Sequence, residues 1–298
     1  MMSKKKFIVI TGGVGFIGSN LIEFLLNKTQ DYIISIDNYT YGYKKNEIKN
    51  KRVKYIKNQT SNIFNILNRY KKNIKVIFHF GEYARIHQSF RDYDKCFSSN
   101  IMGTSKVLEF CTKNKIKIIY SATSASLGNK GKDQFLSPYA YSKAQNLKMI
   151  TQLNRWFGLK YEILYFYNVY GKRQISKGKM ATVIGIFEEC YKKNKPMPVV
   201  KPGNQSRKFT HIADTVNGCY LAWKKNRNSH YSLANNKSYT IKNVAKMFSS
   251  QIKYLKPRLG ERFKSVVIDR VSNTKINRID CRLNLRDYIS KFKIENKS

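Results

Sequence analysis

Tyr139 and Lys143 stand four residues apart in the run Ser137-Pro138-Tyr139-Ala140-Tyr141-Ser142-Lys143. On a helix this spacing puts phenol and ammonium on one face, a turn apart. An ordinary tyrosine, with a pKa of about 10, is a poor base near neutrality, and moving it toward 7 takes roughly 4 kcal/mol of preference for the phenolate. Lys143 and an oxidised nicotinamide ring close by would supply that preference. The chemistry that needs such a base is removal of an alcohol proton while hydride leaves the same carbon. Thr123, at the end of an apolar run, would bring a second hydroxyl to the same substrate oxygen. Taken alone, Thr123 is equally a polar strand end and Tyr139 equally half-buried packing, so the weight lies on the Tyr/Lys pair.

A cofactor site is offered at the other end of the chain, in Thr11-Gly12-Gly13-Val14-Gly15-Phe16-Ile17-Gly18. Gly12, Gly15 and Gly18 form a G-x-x-G-x-x-G variant of the dinucleotide fingerprint, between an apolar run and an amphipathic one. Such a turn must be tight, and its backbone must approach a pyrophosphate. The helix start at Phe16, Ile17 and Gly18 then supplies free N–H groups and the positive dipole end. Asp37 closes the next apolar run, nineteen positions after Gly18. An acid there accepts from ribose hydroxyls and repels a 2′-phosphate, which favours NAD over NADP. The histidines form no rival site: His79 lies inside an apolar run, and His87, His211 and His230 are isolated. No metal-ligand spacing and no G-x-S-x-G elbow occurs.

The elements that must position these groups are legible as alternation. Strands are expected at 7–11, 32–37, 53–57, 76–80, 116–121 and 161–166, nearly continuous in hydrophobicity as strands buried on both faces are. Helices are expected between them at 16–27, 93–113 and 139–157. The inward residues would be Phe97, Ile101, Leu108 and Cys111 on the second, and Leu147, Ile150, Leu153 and Trp156 on the third. This is an α/β pattern, a Rossmann-type doubly wound parallel sheet with right-handed crossovers. After Gly171 the rhythm breaks. Helices at 180–193, 211–224 and 241–249, and short strands near 198–200, 231–233 and 265–268, make a smaller mixed α/β C-terminal substrate lobe. The expected division is a cofactor domain over 1–171 and a substrate lobe over 172–298, partly interleaved, with the binding cleft between them.

Composition narrows the partners. Fifty-seven basic against 18 acidic residues give +39, a field that attracts anions, whether nucleic acid, an acidic surface or a phosphorylated substrate. The lysines run along the whole chain and gather in no arm, so solvated faces account for them and no specific nucleic-acid module is visible. The five cysteines are scattered and odd in number, as suits free thiols in a reducing cytosol. No apolar stretch approaches the roughly 20 residues of a spanning helix. A cytoplasmic protein without membrane attachment is expected.

Taken together, these residues resemble the extended short-chain dehydrogenase/reductase family, in its nucleotide-sugar epimerase/dehydratase branch. The resemblance runs through nearly the whole chain in the family's order. It is carried by the glycine turn, by Ile36-Asp37-Asn38, by Phe78-His79-Phe80-Gly81 with Ser89, and by Asn100-Ile101-Met102-Gly103-Thr104. It continues in the Thr123 strand, the Tyr139/Lys143 pair, Asn168-Val169-Tyr170-Gly171, Ser206-Arg207-Lys208-Phe209-Thr210-His211 with Asp214, and Arg258-Leu259-Gly260-Glu261. It implies NAD held by the glycine turn, Asp37, Asn38, Gln59, Phe80, Asn100, Tyr139 and Lys143. It implies a nucleotide sugar held by Thr123, Asn168, Arg207, Arg258 and Ser265. Tyr139, Lys143 and Thr123 would oxidise the sugar transiently at C4, with hydride returned to the other face. A homodimer through a four-helix bundle of 93–113 and 139–157 is implied as well. Ser124 and Ala125 replace the Asp-Glu that the 4,6-dehydratases resemble one another in carrying, so a 4-epimerase on a UDP-hexose or UDP-N-acetylhexosamine fits best. Ser265 is implied to leave room for an acetamido group. A dehydratase or reductase of the same family stays open. So does a different class, a basic NAD-binding regulator or nucleic-acid binder. Gln59 stands where an Asp is usual, and Glu82 where an Ala is common; Glu82 is expected to bear on which sugar is accepted.

Overall fold

The computed structural model describes residues 5–127, 133–257, 259, 267, 269–271 and 274–296. The chain begins β1 (Phe7–Thr11), α1 (Phe16–Lys28), β2 (Tyr32–Asp37), β3 (Val53–Lys57), α2 (Ile63–Leu67) and β4 (Ile74–His79). It continues α3 (Tyr93–Phe97), α4 (Thr104–Lys113), β5 (Lys117–Thr123), α5 (Pro138–Phe157), β6 (Tyr161–Phe166) and β7 (Val169–Tyr170). The later part adds α6 (Val183–Lys192), β8 (Met197–Val200), β9 (Ser206–Lys208), β10 (Thr210–His211), α7 (Ile212–Lys225) and β11 (His230–Leu233). It ends with β12 (Ser238–Thr240), α8 (Ile241–Phe248), β13 (Ile252–Leu255), β14 (Arg270–Val271), β15 (Thr274–Arg278) and α9 (Leu285–Glu295).

One sheet organises the molecule, in the order β14-β15-β11-β6-β5-β4-β1-β2-β3. Every pairing in it is parallel except the antiparallel edge pair β14/β15. The order reverses between β1 and β4, and ligands of open α/β sheets lie beyond the carboxyl ends at such a point. Alternate residues of each strand feed two cores. Val9, Ile34, Ile77, Ile118 and Ile163 pack on α2, α4 and α5. Ile8, Ile10, Ile33, Phe78 and Leu164 pack on α1 and α7. Each such fully buried side chain contributes about 1.5–3 kcal/mol. A third core, around Tyr170, Phe187, Val199, Phe209 and Phe248, unites α6, α8, α9 and the small strands. The later half of the chain also enters the main sheet, since β11 pairs β6 and β15 pairs β11. The expected strand at 265–268 lies outside the described residues apart from residue 267.

The helix expected over 93–113 is broken at its centre. A π-turn over Ser98–Gly103 separates α3 from α4. Such a turn frees backbone groups, and here the Asn100 carbonyl is taken by Asn146 Nδ2 at 2.6 Å. The extra residue per turn rotates the inward face. Cys96, Asn100, Gly103, Thr104 and Val107 are buried, while Phe97 and Ile101 are only half-buried. On α5, Ile150 is fully buried, but Trp156 at the helix end is 67% exposed rather than inward.

Candidate active site

A cleft of about 1300 Å³ opens at the carboxyl ends of β1, β2, β4 and β5 and reaches across to α6 and the segment that leads into it. Among its walls are Gly12, Gly15, Phe16, Ile17, Gly18, Asp37, Asn38, Gln59 and Phe80 on the sheet side. Thr123, Tyr139 and Lys143 stand at the centre, and Asn168 and Arg207 beyond them. The fold therefore brings together residues read from eight separate stretches of sequence. Asn100 is the exception: it is fully buried behind the wall, with Oδ1 accepting from Tyr83 N at 2.6 Å and Nδ2 donating to Tyr83 O and Ser142 Oγ. Arg258 and Ser265 lie outside the described residues.

The cofactor end is shaped by close backbone approaches. Gly12 has φ +72°, and a Cβ there would stand 2.8 Å from the Phe80 carbonyl carbon. At Gly18 a Cβ would meet the Gly12 oxygen at 2.2 Å, so α1 can lie against the turn only without a side chain. Gly15 caps α1 with no side-chain hydrogen bond to its first turn, and the N–H groups that start a helix have no partner within it. A Cβ at Gly15 would touch only the Gly12 oxygen, at 3.1 Å. The Asp37 carboxylate accepts from Val14 N at 3.1 Å and Tyr39 N at 2.8 Å, and burial raises its pKa above the ordinary value. Donor-rich turn, helix start and carboxylate on one wall fit a dinucleotide's pyrophosphate and ribose.

The catalytic end is fixed by α5. Ser137 caps the helix, its Oγ accepting from Ala140 N at 3.1 Å, and Pro138 opens it. Ser89 Oγ accepts from Tyr139 N at 3.2 Å and donates to Ile86 O at 2.6 Å, tying the loop after β4 to the helix start. Thr123 Oγ1 accepts from Ala125 N at 3.1 Å and keeps its own proton to donate. Lys143 is 3% exposed and donates to the Ser121 carbonyl and to Glu82 Oε2. Glu82 lines the cleft, but its carboxyl is turned into the protein. Oε1 accepts from Thr104 Oγ1 at 3.1 Å, Tyr120 OH at 3.0 Å and Asn146 Nδ2 at 3.0 Å.

His79 is the satisfied core histidine that its apolar run suggested. Thr11 Oγ1 accepts from Phe80 N and Gly81 N, so its proton goes to His79 Nδ1 at 2.7 Å. The opposite nitrogen then donates to Thr104 Oγ1 at 2.8 Å. Burial holds this imidazole down to about 4.

Arg85 is a wall residue that the sequence did not mark. Its Nε and Nη2 both donate to Met180 O, the former at 3.0 Å, and it lies within electrostatic range of Tyr139. Burial lowers its pKa, and Tyr139 opposes that shift. No spacing rule would find it, because its partner comes from 95 residues further on. Among the described residues, no group of three His, Cys, Asp or Glu could hold a metal, and no helix is long and apolar enough to cross a membrane.

Residues 8–235 match the NAD dependent epimerase/dehydratase family. A Methanocaldococcus jannaschii protein named as a UDP-glucose 4-epimerase is 30% identical over 279 residues, 86% of this chain and 88% of its own. The dTDP-glucose 4,6-dehydratase of Haemophilus influenzae is 25% identical, over 92% of this chain and 89% of its own. Among solved structures, the UDP-N-acetylglucosamine 4-epimerase of Methanobrevibacter ruminantium, in complex with UDP-N-acetylmuramic acid, superposes with a TM-score of 0.81. It is 25% identical, over 97% of this chain and 96% of that one.

Proposed function

The chain belongs to the NAD dependent epimerase/dehydratase family, and we propose that within it this protein inverts C4 of a nucleotide-linked hexose, with a UDP-sugar as substrate. The observation that carries this reading is what stands around Tyr139. Thr123, Ser124 and Ala125 follow one another along the cleft wall beside it. Elimination of water across C5–C6 needs an acid and a base at the sugar's far side, and Ser124 and Ala125 supply neither. Among the described lining residues the carboxylates are Asp37, Glu82 and Asp94. Asp37 sits at the glycine turn, Glu82 is spent on Lys143, and Asp94 is on α3. Oxidation and return at one carbon asks for no further group.

NAD, when bound, takes the C4 hydrogen as hydride and gives it back. The glycine turn, the start of α1, Asp37 and Asn38 would hold it, with Gln59 at the adenine end. Tyr139 would accept the C4 hydroxyl proton and return it, with Thr123 donating to the same oxygen. Lys143, tied to Ser121 and Glu82, is held one turn from Tyr139 with its ammonium fixed in place. Asn168 and Arg207 would bind the nucleotide end, as a planar guanidinium suits phosphate oxygens. The relatives named for UDP-glucose and UDP-N-acetylglucosamine support a UDP-sugar, and the strongly positive surface favours an anionic one. The same helices carry an exposed apolar face, with Tyr93 at 58%, Met102 at 62%, Trp156 at 67% and Phe157 at 66% exposure. It supports a homodimer through α3–α5, for which light scattering at micromolar concentration would return twice the 34.9 kDa chain mass.

The test is an NMR screen of UDP-, GDP-, CDP- and dTDP-sugars with NAD-loaded protein. A product of unchanged mass and inverted C4 is expected, and Tyr139→Phe should lower its formation by about 10²–10⁴-fold. A product lighter by one water, or equal rates in both proteins, would overturn the reading.

A further inference from the structure

Glu82 is a buried carboxylate that neither the proton step nor sugar binding accounts for. Its side chain is 2% exposed and paired with Lys143. Every group around it is a donor: Lys143 on one oxygen, and Thr104, Tyr120 and Asn146 on the other. Behind these, Thr11 and His79 orient Thr104. A buried charge is costly unless paired and fully hydrogen-bonded, and here four side chains from three elements are arranged to meet that need. Lys143 has three protons to donate. Two are committed, to Glu82 and to the Ser121 carbonyl, which leaves one for the cleft.

The charges around Tyr139 then form a set. Arg85 lies within electrostatic range, Lys143 a turn away, and Glu82 in contact with Lys143. A cation near a phenol favours its ionised form, and the chain as a whole carries +39. One carboxylate touching the Lys143 ammonium offsets much of its field.

We propose that Glu82 is a positioning residue for the reaction at Tyr139: it anchors the Lys143 ammonium and offsets its charge, and so places the acid limb of the turnover profile higher than an unpaired lysine would. The assignment rests on Tyr139 as the base. His87, on the turn packed against the start of α5, also lines the cleft, so the measurements are taken in proteins carrying His87→Gln, which removes the imidazole that would otherwise change charge in the range where they are read. Burial holds His79 on β4 down to about 4 and pushes Cys96 on α3 up to about 11. Tyr120 on β5 is raised well above its ordinary value, again chiefly by burial. Arg85, lowered by burial, starts from the guanidinium range.

Two readouts on the NAD-loaded protein test this. One is the pH profile of C4 epimerisation. The other is tyrosinate absorbance near 295 nm, taken as each protein minus its Tyr139→Phe counterpart, which needs no substrate. Glu82→Gln should shift the acid limb and the absorbance midpoint downward together, by about one pH unit. Glu82→Ala carries the same expectation should the glutamine variant not fold. Glu82→Asp, which keeps the charge, should leave both midpoints in place while lowering the melting temperature. Unmoved midpoints in the charge-removing variants, or an equal shift in Glu82→Asp, would leave Glu82 a structural residue and overturn the proposal. If Tyr139→Phe instead turns over normally, the assignment of the base has failed, and not this inference alone.

Discussion

Among the described residues, two lysine–glutamate pairs are buried, at opposite ends of the same sheet. At the amino ends of the strands, Lys117 Nζ meets Glu162 Oε1 at 2.7 Å, and Glu162 is fully buried. Glu162 also accepts from the backbone N–H groups of Arg227, Asn228 and Ser229, at 2.7, 3.2 and 2.9 Å. Lys117 donates further to Asn226 Oδ1 at 2.8 Å. This pair closes the turn that leaves α7 for β11, with a further bond from Lys117 to the Trp223 carbonyl on α7. At the carboxyl ends, Lys143 and Glu82 are as deeply buried, but Lys143 shares a wall with the cleft and stands a turn from Tyr139. The ion pair is the same chemistry in both places. Its position relative to the carboxyl ends of the strands decides whether it holds the chain together or bears on a reaction.

The largest expected effect separates the pairs outright. Lys143→Met should cut turnover by about 10²-fold or more, whereas Lys117→Met should leave turnover per folded molecule unchanged. The next effect is shared. Each substitution strands a buried carboxylate, and urea denaturation should show a loss of about 3–5 kcal/mol in both. Glu82→Gln added to Lys143→Met should recover part of that loss without recovering turnover.

A smaller effect comes from acid. His79 and His230 are both held down to about 4 by burial, against an ordinary value near 6.5. They fold neutral and would take up protons only on unfolding. Their contribution to stability is therefore full above pH 6.5 and lost as pH falls from there toward 4, at most about 3 kcal/mol for each ring. Urea midpoints measured across that window should fall, and His230→Gln should flatten part of the slope.

The smallest effect is expected at the surface. Arg173, and then Lys172, hold Glu23 on α1 down to about 2, joining the cofactor helix to the chain beyond Gly171. A depressed carboxylate stabilises above its unfolded value near 4.5, and that contribution disappears as pH falls through 2. Glu23 is more than a third exposed, so solvent screens the pair. Glu23→Gln should lower the melting temperature by about a degree or two at pH 7 and not at all near pH 2.

The parts of the molecule that were legible in the sequence are those with local causes. Continuous apolar runs gave β1, β2 and β6 to the residue, because strands covered on both faces need no alternation. The glycine turn was legible because its spacing is a packing requirement of backbone on backbone. The π-turn at Ser98–Gly103 was not, since the side chain that satisfies it, Asn146, lies on another helix. Trp156 fits the inward stripe of α5 by spacing, yet the helix outruns the sheet it packs on and leaves the indole exposed. The entry of β11 and β15 into the main sheet was hidden by their brevity. Glu82 reads in the sequence only as a residue near the pocket that bears on which sugar is accepted. Its carboxyl faces Thr104, Tyr120, Lys143 and Asn146, a neighbourhood drawn from three elements that no single stretch of sequence contains.

The most direct measurement is the fate of the hydrogen on C4 when the NAD-loaded protein turns over a UDP-hexose in deuterium oxide. Removal and return of hydride at one carbon predicts a C4-inverted product whose C4 position carries only protium by NMR. Deuterium at C4, or inversion that persists at the wild-type rate in Tyr139→Phe, would contradict it.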